Sequence, residues 1–265
     1  MRTTILLFLL AACSHRHAAP AAAPVEAGPA ARPPLTEAAI AVPIRSGKTA
    51  DWENALHELT GPRYAEYEAS RTRYGLTSQV TFVQKTPMGD FALIHLTGAD
   101  VRHSFHAMST SQDPWDVEWR KLTQDLHGMD FAKTAPPDVV PLFATSDTEP
   151  TTGEMFMFLA PVGDIDGLQR IAAELRGPRH EAYVAARERL GIHREAAFLE
   201  TTGAGAAIVV YWRAEDPVAS LKALAASRDP FDVWLASQAA QVHPLPLEQL
   251  VGIASANRLV GRYPH

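Results

Sequence analysis

Gly61-Pro62-Arg63-Tyr-Ala-Glu-Tyr67-Glu-Ala-Ser-Arg71-Thr-Arg73-Tyr-Gly75 returns later in the chain as Gly177-Pro178-Arg179-His-Glu-Ala-Tyr183-Val-Ala-Ala-Arg187-Glu-Arg189-Leu-Gly191. The offset is 177 − 61 = 116 residues. It holds without a gap from Phe82 and Thr86 to Phe198 and Thr202. It also carries Ser111, Asp113, Pro114 and Asp116 to Ser227, Asp229, Pro230 and Asp232. A constant offset over so many landmarks is the mark of an internal duplication, so one structural unit is written twice.

Outward from that stretch, each copy reads as strand, long helix, two strands, then helices. Glu154–Ala160 is a strand-length apolar run, and residues 166–190 have helical character interrupted at Gly177-Pro178. Residues 194–201 and 206–213 are strand-like, β-branched or aromatic in part, with Gly203 and Gly205 between them as a hairpin signal. The first copy repeats this with 79–85, the turn Pro87-Met88-Gly89, and 91–96. Val101, Phe105 and Met108 fall at i, i+4, i+7 of a short helix, matched by Leu221 and Leu224. The next helix opens at Asp113-Pro114-Trp115-Asp116. Asp at the cap, Pro at the first helical position and a further acid in the first turn complement the free amides of a helix start. Trp115, Trp119, Leu122 and Leu126 mark its apolar face. Residues 139–143 and 247–254 each read as a closing strand.

That order predicts an α+β fold of two tandem ferredoxin-like units, residues 38–150 and 151–256, followed by a tail at 257–265. The paired arrangement resembles the dimeric α/β barrel of antibiotic-biosynthesis monooxygenase-type proteins, formed here within one chain. The Gly-Pro-Arg…Tyr…Arg…Gly and Ser-x-Asp-Pro patterns also resemble an uncharacterised bacterial family placed on that fold. The resemblance covers residues 38–131 and 154–254 and implies a fold rather than a reaction.

Upstream, Arg2 is followed by the apolar run Ile5–Leu10 and then Ala11-Ala12-Cys13. This describes a secretory signal over residues 1–12, with an apolar run far short of the roughly 20 residues a spanning helix needs. Leu10-Ala11-Ala12-Cys13 resembles the bacterial lipobox. The resemblance implies acylation of Cys13, a membrane partner through that lipid, and residence in the bacterial cell envelope. Ser14 stands where the sorting pattern places Asp for inner-membrane retention, so the outer membrane, with the body facing the periplasm, is expected. The Ala- and Pro-rich remainder of residues 13–37 reads as a tether. Cys13 is the only cysteine, so the body has no disulfide, thiolate zinc site or cysteine nucleophile. A formal charge of −6 with no basic run argues against a nucleic-acid partner.

Two groups of residues could carry chemistry. Arg63, Tyr67 and Arg71, repeated as Arg179, Tyr183 and Arg187, put guanidinium groups along a helix stripe where apolar residues are expected. A buried guanidinium needs a carboxylate or an anionic ligand. Asp113 and Asp116, repeated as Asp229 and Asp232, are the internal partners the spacing suggests for Arg71 and Arg187; anion binding by the same face is the alternative. The second group lies where the copies differ. His95 is replaced by Tyr211 and Thr97 by Arg213 at the equivalent positions, two residues apart and so on one strand face. A ligand held between the copies would meet these four, whereas a satisfied structural histidine is the plainer alternative. His103 and His106 have no arranged carboxylate and become Ala219 and Lys222 in the second copy, so no metal site is expected. No Gly-x-Ser-x-Gly elbow, phosphate loop or dinucleotide fingerprint is present.

Three functions remain open. The first is a lipid-tethered module binding a small molecule inside the duplicated barrel. The second is a cofactor-poor oxygenase- or isomerase-like enzyme with His95 as base and Tyr211 or Arg213 as partner. The third is an envelope protein that interacts through its surface. No cofactor is predicted, and haem or flavin is left open.

Overall fold

A computed structural model describes residues 32–134 and 136–264, and the expected signal peptide, Cys13 and most of the tether lie outside the described residues. The first copy runs β1 (Glu37–Ile44), α1 (Thr49–Leu59), α2 (Tyr64–Arg73), β2 (Leu76–Thr86), β3 (Gly89–Gly98), α3 (Val101–Thr110), α4 (Pro114–His127) and β4 (Asp138–Ala144). The second runs β5 (Glu154–Val162), α5 (Ile165–Arg176), α6 (His180–Arg189), β6 (Ile192–Thr202), β7 (Gly205–Ala214), α7 (Pro217–Ala226), α8 (Pro230–Val242), α9 (Leu247–Ala254) and β8 (Arg258–Tyr263). The fold is α+β, of the paired ferredoxin-like, dimeric α/β-barrel type.

Local chemistry sets the element ends. Asp113 and Asp229 cap α4 and α8 by accepting from the Trp115 and Phe231 amides, with Pro114 and Pro230 next in line. Gly75 and Gly191, at φ 68° and 69°, follow the last turns of α2 and α6. That left-handed conformation is costly for any residue with a Cβ, which explains why both repeats keep glycine there.

Two four-stranded antiparallel sheets result, in the orders β1-β3-β2-β8 and β4-β6-β7-β5. Each sheet takes three strands from one copy and its fourth from the other. Thus β4 pairs with β6, placing Asp138 opposite Thr201, and β8 pairs with β2, placing Tyr263 opposite Gln79. The sheets lie against each other, with β1 over β6 and β7, and β2 over β5. Leu93, Phe82 and Val83 from one sheet share a core with Met157, Phe198 and Val209 from the other. The opposite face of the second sheet, with Val210 and Trp212, packs on α5 through Leu168 and Ala172.

Two expectations are corrected. Residues 247–254 form a helix, not a closing strand, and the strand lies within the supposed tail. Short apolar runs do not distinguish the two by period alone. Here Leu250, Val251 and Ala254 share a helical face that packs on the second core cluster.

The inter-sheet seams use side chains on edge-strand backbone. Gln84 of β2 donates to the Leu159 carbonyl (3.0 Å) and accepts from its amide (2.9 Å). Its counterpart 116 residues on is Glu200 of β6, which accepts from the Ala41 amide at 2.7 Å. Burial pushes the Glu200 carboxyl up to about 7 against the pull of that amide.

Candidate functional site

Strand alternation sends His95 and Tyr211 into the space between the sheets, where their rings stack with centroids 4.0 Å apart and planes 2° apart. Both are buried, at 2% and 1% exposure. His95 Nε2 lies 2.7 Å from Glu37 Oε1, at the start of β1. Arg194 of β6 reaches across the sheets and donates to both oxygens of Glu37, at 2.8 and 2.7 Å. It also donates to Glu149 at 3.1 Å and to the Ser146 carbonyl at 3.0 Å. Glu149, in the segment joining the copies, accepts from the Tyr211 hydroxyl (2.6 Å) and from Arg213 Nε (2.8 Å). Arg213 also donates to the Gly153 carbonyl at 2.8 Å.

Two carboxylates and two guanidinium groups therefore close on each other around a stacked ring pair. Burial opposes ionisation of Glu37, but the hydrogen bonds and charges of His95 and Arg194 outweigh it and hold this carboxyl down at about 2. Burial and the Glu149 carboxylate push the Tyr211 phenol far up, so it stays a donor. Thr97 stands apart from this network, its hydroxyl bonded to those of Thr77 and Ser78.

The copies divide the network between them. The first contributes Glu37 and His95; the second contributes Arg194, Tyr211 and Arg213, where the first has Ser78, His95 and Thr97 at the corresponding offsets. Glu37, Glu149 and Arg194 were not singled out from the sequence. Arg194 against Ser78 is a polar difference on an aligned strand and could have been found by the rule that exposed His95. Glu149 lies in the connecting segment and offered no such signal.

The arginine stripe is rearranged relative to expectation. Arg71 and Arg187 do not pair with the capping aspartates. Arg73 takes Asp113 (3.2 Å) and Asp116 (3.0 Å), and Arg189 takes Asp229 (3.5 Å) and Asp232 (2.8 Å). Residues two apart on a helix point to different sides, so one arginine of each pair reaches the next helix while the other turns onto its own sheet. There Arg187 forms a buried ion pair with Glu195, which also accepts from the Tyr183 hydroxyl at 3.0 Å. Arg71 instead donates to Gln79 (2.9 Å), the counterpart of Glu195, and lies over the Tyr67 ring at 4.9 Å. Burial lowers the Arg71 guanidinium; for Arg187 the same burial is overcome by Glu195 and the guanidinium is raised. Ser70, Ser111 and Tyr74 also donate to Asp116, making it a structural hub. Arg63 donates to Glu66 and Glu118, and Arg179 lies 3.4 Å from Glu174 and stacks over Trp234.

Two open pockets, of about 210 and 230 Å³, lie outside the inter-sheet network. The first is bounded by α1, Arg63 and α4, the second by α3 and the start of β4. Among the described residues no cluster of three or more His, Cys, Asp or Glu is placed to hold a metal, and no helix is long and apolar enough to cross a membrane.

No family model matches the sequence, and no curated protein matches it. Two solved structures follow a similar chain course. One, a candidate monooxygenase from Fusobacterium nucleatum, aligns over 85% of this chain and 92% of its own at 9% identity, with a TM-score of 0.47. The other, an anthrone oxidase-like protein, aligns over 85% and 93% at 12% identity, with a TM-score of 0.42. The fold assignment rests on the element order and strand pairing described above.

Proposed function

We propose that the protein is a small-molecule-binding module held in the bacterial envelope through a lipid on Cys13, with its two sheets locked by a structural stitch. One observation carries this reading: the polar groups of Glu37, Arg194, Glu149, Tyr211 and Arg213 are spent on one another where a ligand between the copies would need them. Opposite charges cancel within the network, and the stacked His95 and Tyr211 rings occupy the gap. A thermal-shift survey of metabolites on the wild type and on a Glu37→Met/Arg194→Met double variant tests it. Ligands that stabilise both proteins alike support the module. Ligands whose effect vanishes only in a folded double variant would place the site between the sheets and overturn the reading.

A specific feature favours the enzyme as second reading. His95 Nδ1 is buried with no hydrogen-bond partner among the described residues, while Glu37 holds Nε2. A carboxylate-oriented imidazole with one bare nitrogen is how a general base is prepared. Substrate-dependent oxygen uptake or isomerisation that is abolished by His95→Gln would support it, and the visible spectrum of purified protein would report a bound haem or flavin.

A further inference from the structure

The two copies differ in one more respect, on the outside of the first. In the second copy Arg179 lies over the Trp234 indole, 4.1 Å from the ring centroid, and its Nε is 3.4 Å from the Glu174 carboxylate. A cation there satisfies an aromatic face and an acid together. Ile171 and Trp234 close the same region as part of a packed cluster.

The first copy keeps the acid, Glu58, and the arginine, Arg63, at the same offset but separates them. Glu66 and Glu118, which replace Ala182 and Trp234, draw Arg63 away with bonds of 2.7 and 2.6 Å. Glu58 is left with no ion pair among the described residues. Ala55 stands where the second copy has Ile171, and the vacated space is the pocket of about 210 Å³. Trp115 and Trp119 line it, their rings nearly parallel at 15° and 6.0 Å apart. Trp115 has Arg71 at 5.9 Å, whereas no cation lies over Trp119 among the described residues. Of the charged residues that line it, Glu58 and Glu118 are acids and Arg63 is a guanidinium, so the lining carries one net negative charge.

We infer that this pocket binds a small organic cation with a quaternary ammonium head group, which packs against an indole as Arg179 does in the second copy. An indole face attracts such a cation through its quadrupole, and the low hydration of a methylated ammonium suits a mostly apolar wall. The volume is below the roughly 300–1,000 Å³ of a drug-sized site, so it fits a head group rather than an extended ligand. A strongly hydrated ion such as sodium gains little from these walls.

This deepens the binding-module reading and can fail separately from it. The test is titration of the full chain with choline, with tetramethylammonium, and with 3,3-dimethylbutan-1-ol, the uncharged shape match of choline. Tryptophan fluorescence and indole N–H shifts are the readouts. Saturable binding of both cations is expected, with the neutral alcohol at least roughly tenfold weaker. Ala55→Ile and Trp119→Leu, each installing the second copy's residue, should abolish it, and Glu58→Gln should weaken it several-fold, with melting temperatures confirming folded variants. Vesicles of phosphatidylcholine distinguish a lipid source: if they bind while free choline does not, the free-cation site is wrong. Equal affinity for the alcohol, or undiminished choline binding by a folded Ala55→Ile variant, would also overturn it. No response to any cation ends the cation proposal and leaves the binding-module reading to the metabolite survey.

Discussion

Replacing Glu200 by Gln should stabilise the protein, and by an amount that depends on pH. Glu200 is 4% exposed and accepts one hydrogen bond, from the Ala41 amide. Burial raises its carboxyl to about 7 from an ordinary 4.5. The folded state therefore holds this proton more tightly than the unfolded state. Stability falls as pH rises from 4.5 through 7, and above 7 the full penalty applies. At about 1.36 kcal/mol per pH unit, a rise of 2.5 units corresponds to about 3 kcal/mol. Glutamine has no charge to bury, and Gln84 shows that an amide at the matching seam can both donate to and accept from the facing strand. Urea denaturation at pH 5 and pH 8 is the assay. The variant should exceed wild type by about 2–3 kcal/mol at pH 8 and differ little at pH 5. A difference of the same size at both pH values would refute the argument, because burial of a charged seam carboxylate would then not be its cause.

The remaining predictions follow from the other buried charges. Arg194→Met takes from Glu37 its guanidinium partner, leaving it only His95, and should cost about 3–5 kcal/mol, whereas Glu37→Met with Arg194→Met should recover part of that; chemical denaturation of the two variants decides. Because Glu37 is held at about 2, its contribution is complete above 4.5 and is lost as pH falls from there toward 2, which an acid titration of the wild type and of Glu37→Gln would reveal as a smaller loss in the variant. Arg187→Met leaves Glu195 buried without a counter-charge, held only by the Tyr183 hydroxyl, and should cost about 3–5 kcal/mol, while Arg71→Met, facing Gln79 rather than an acid, should cost much less; equal losses would show that the Gln79 and Glu195 difference is immaterial. Membrane fractionation of Cys13→Ala should find it released or unprocessed, and wild type recovered as soluble mature protein would rule out the anchor.

The arginines show where the sequence stopped being informative. Helical spacing put Arg71 and Arg187 on a stripe with Tyr67 and Tyr183, and both are buried as that stripe requires. Their partners depend on which way each side chain turns, so a neighbour two residues away, Arg73 or Arg189, could take the capping aspartates instead. The inter-sheet group is similar. Period-two alternation and the 116-residue offset place His95 and Tyr211 at equivalent positions on corresponding strand faces of the two copies. That they stack on each other, and that Glu37 binds Arg194 across 157 residues of chain, depends on how the sheets meet.

By itself the sequence determined what is encoded among neighbouring residues or by repetition: the duplication, the α+β order of each copy, the Asp-Pro helix starts, and the strand faces of His95, Thr97, Tyr211 and Arg213. The tertiary structure decided the exchange of β4 and β8 between the sheets, the helical state of residues 247–254, the closed network around Glu37 and Glu149, and the seams at Gln84 and Glu200. The physical reason is range. Periodicity and capping act within a turn or a strand pair, whereas the partner of a buried charge or an edge strand is selected by whatever the packed chain brings within a few ångströms.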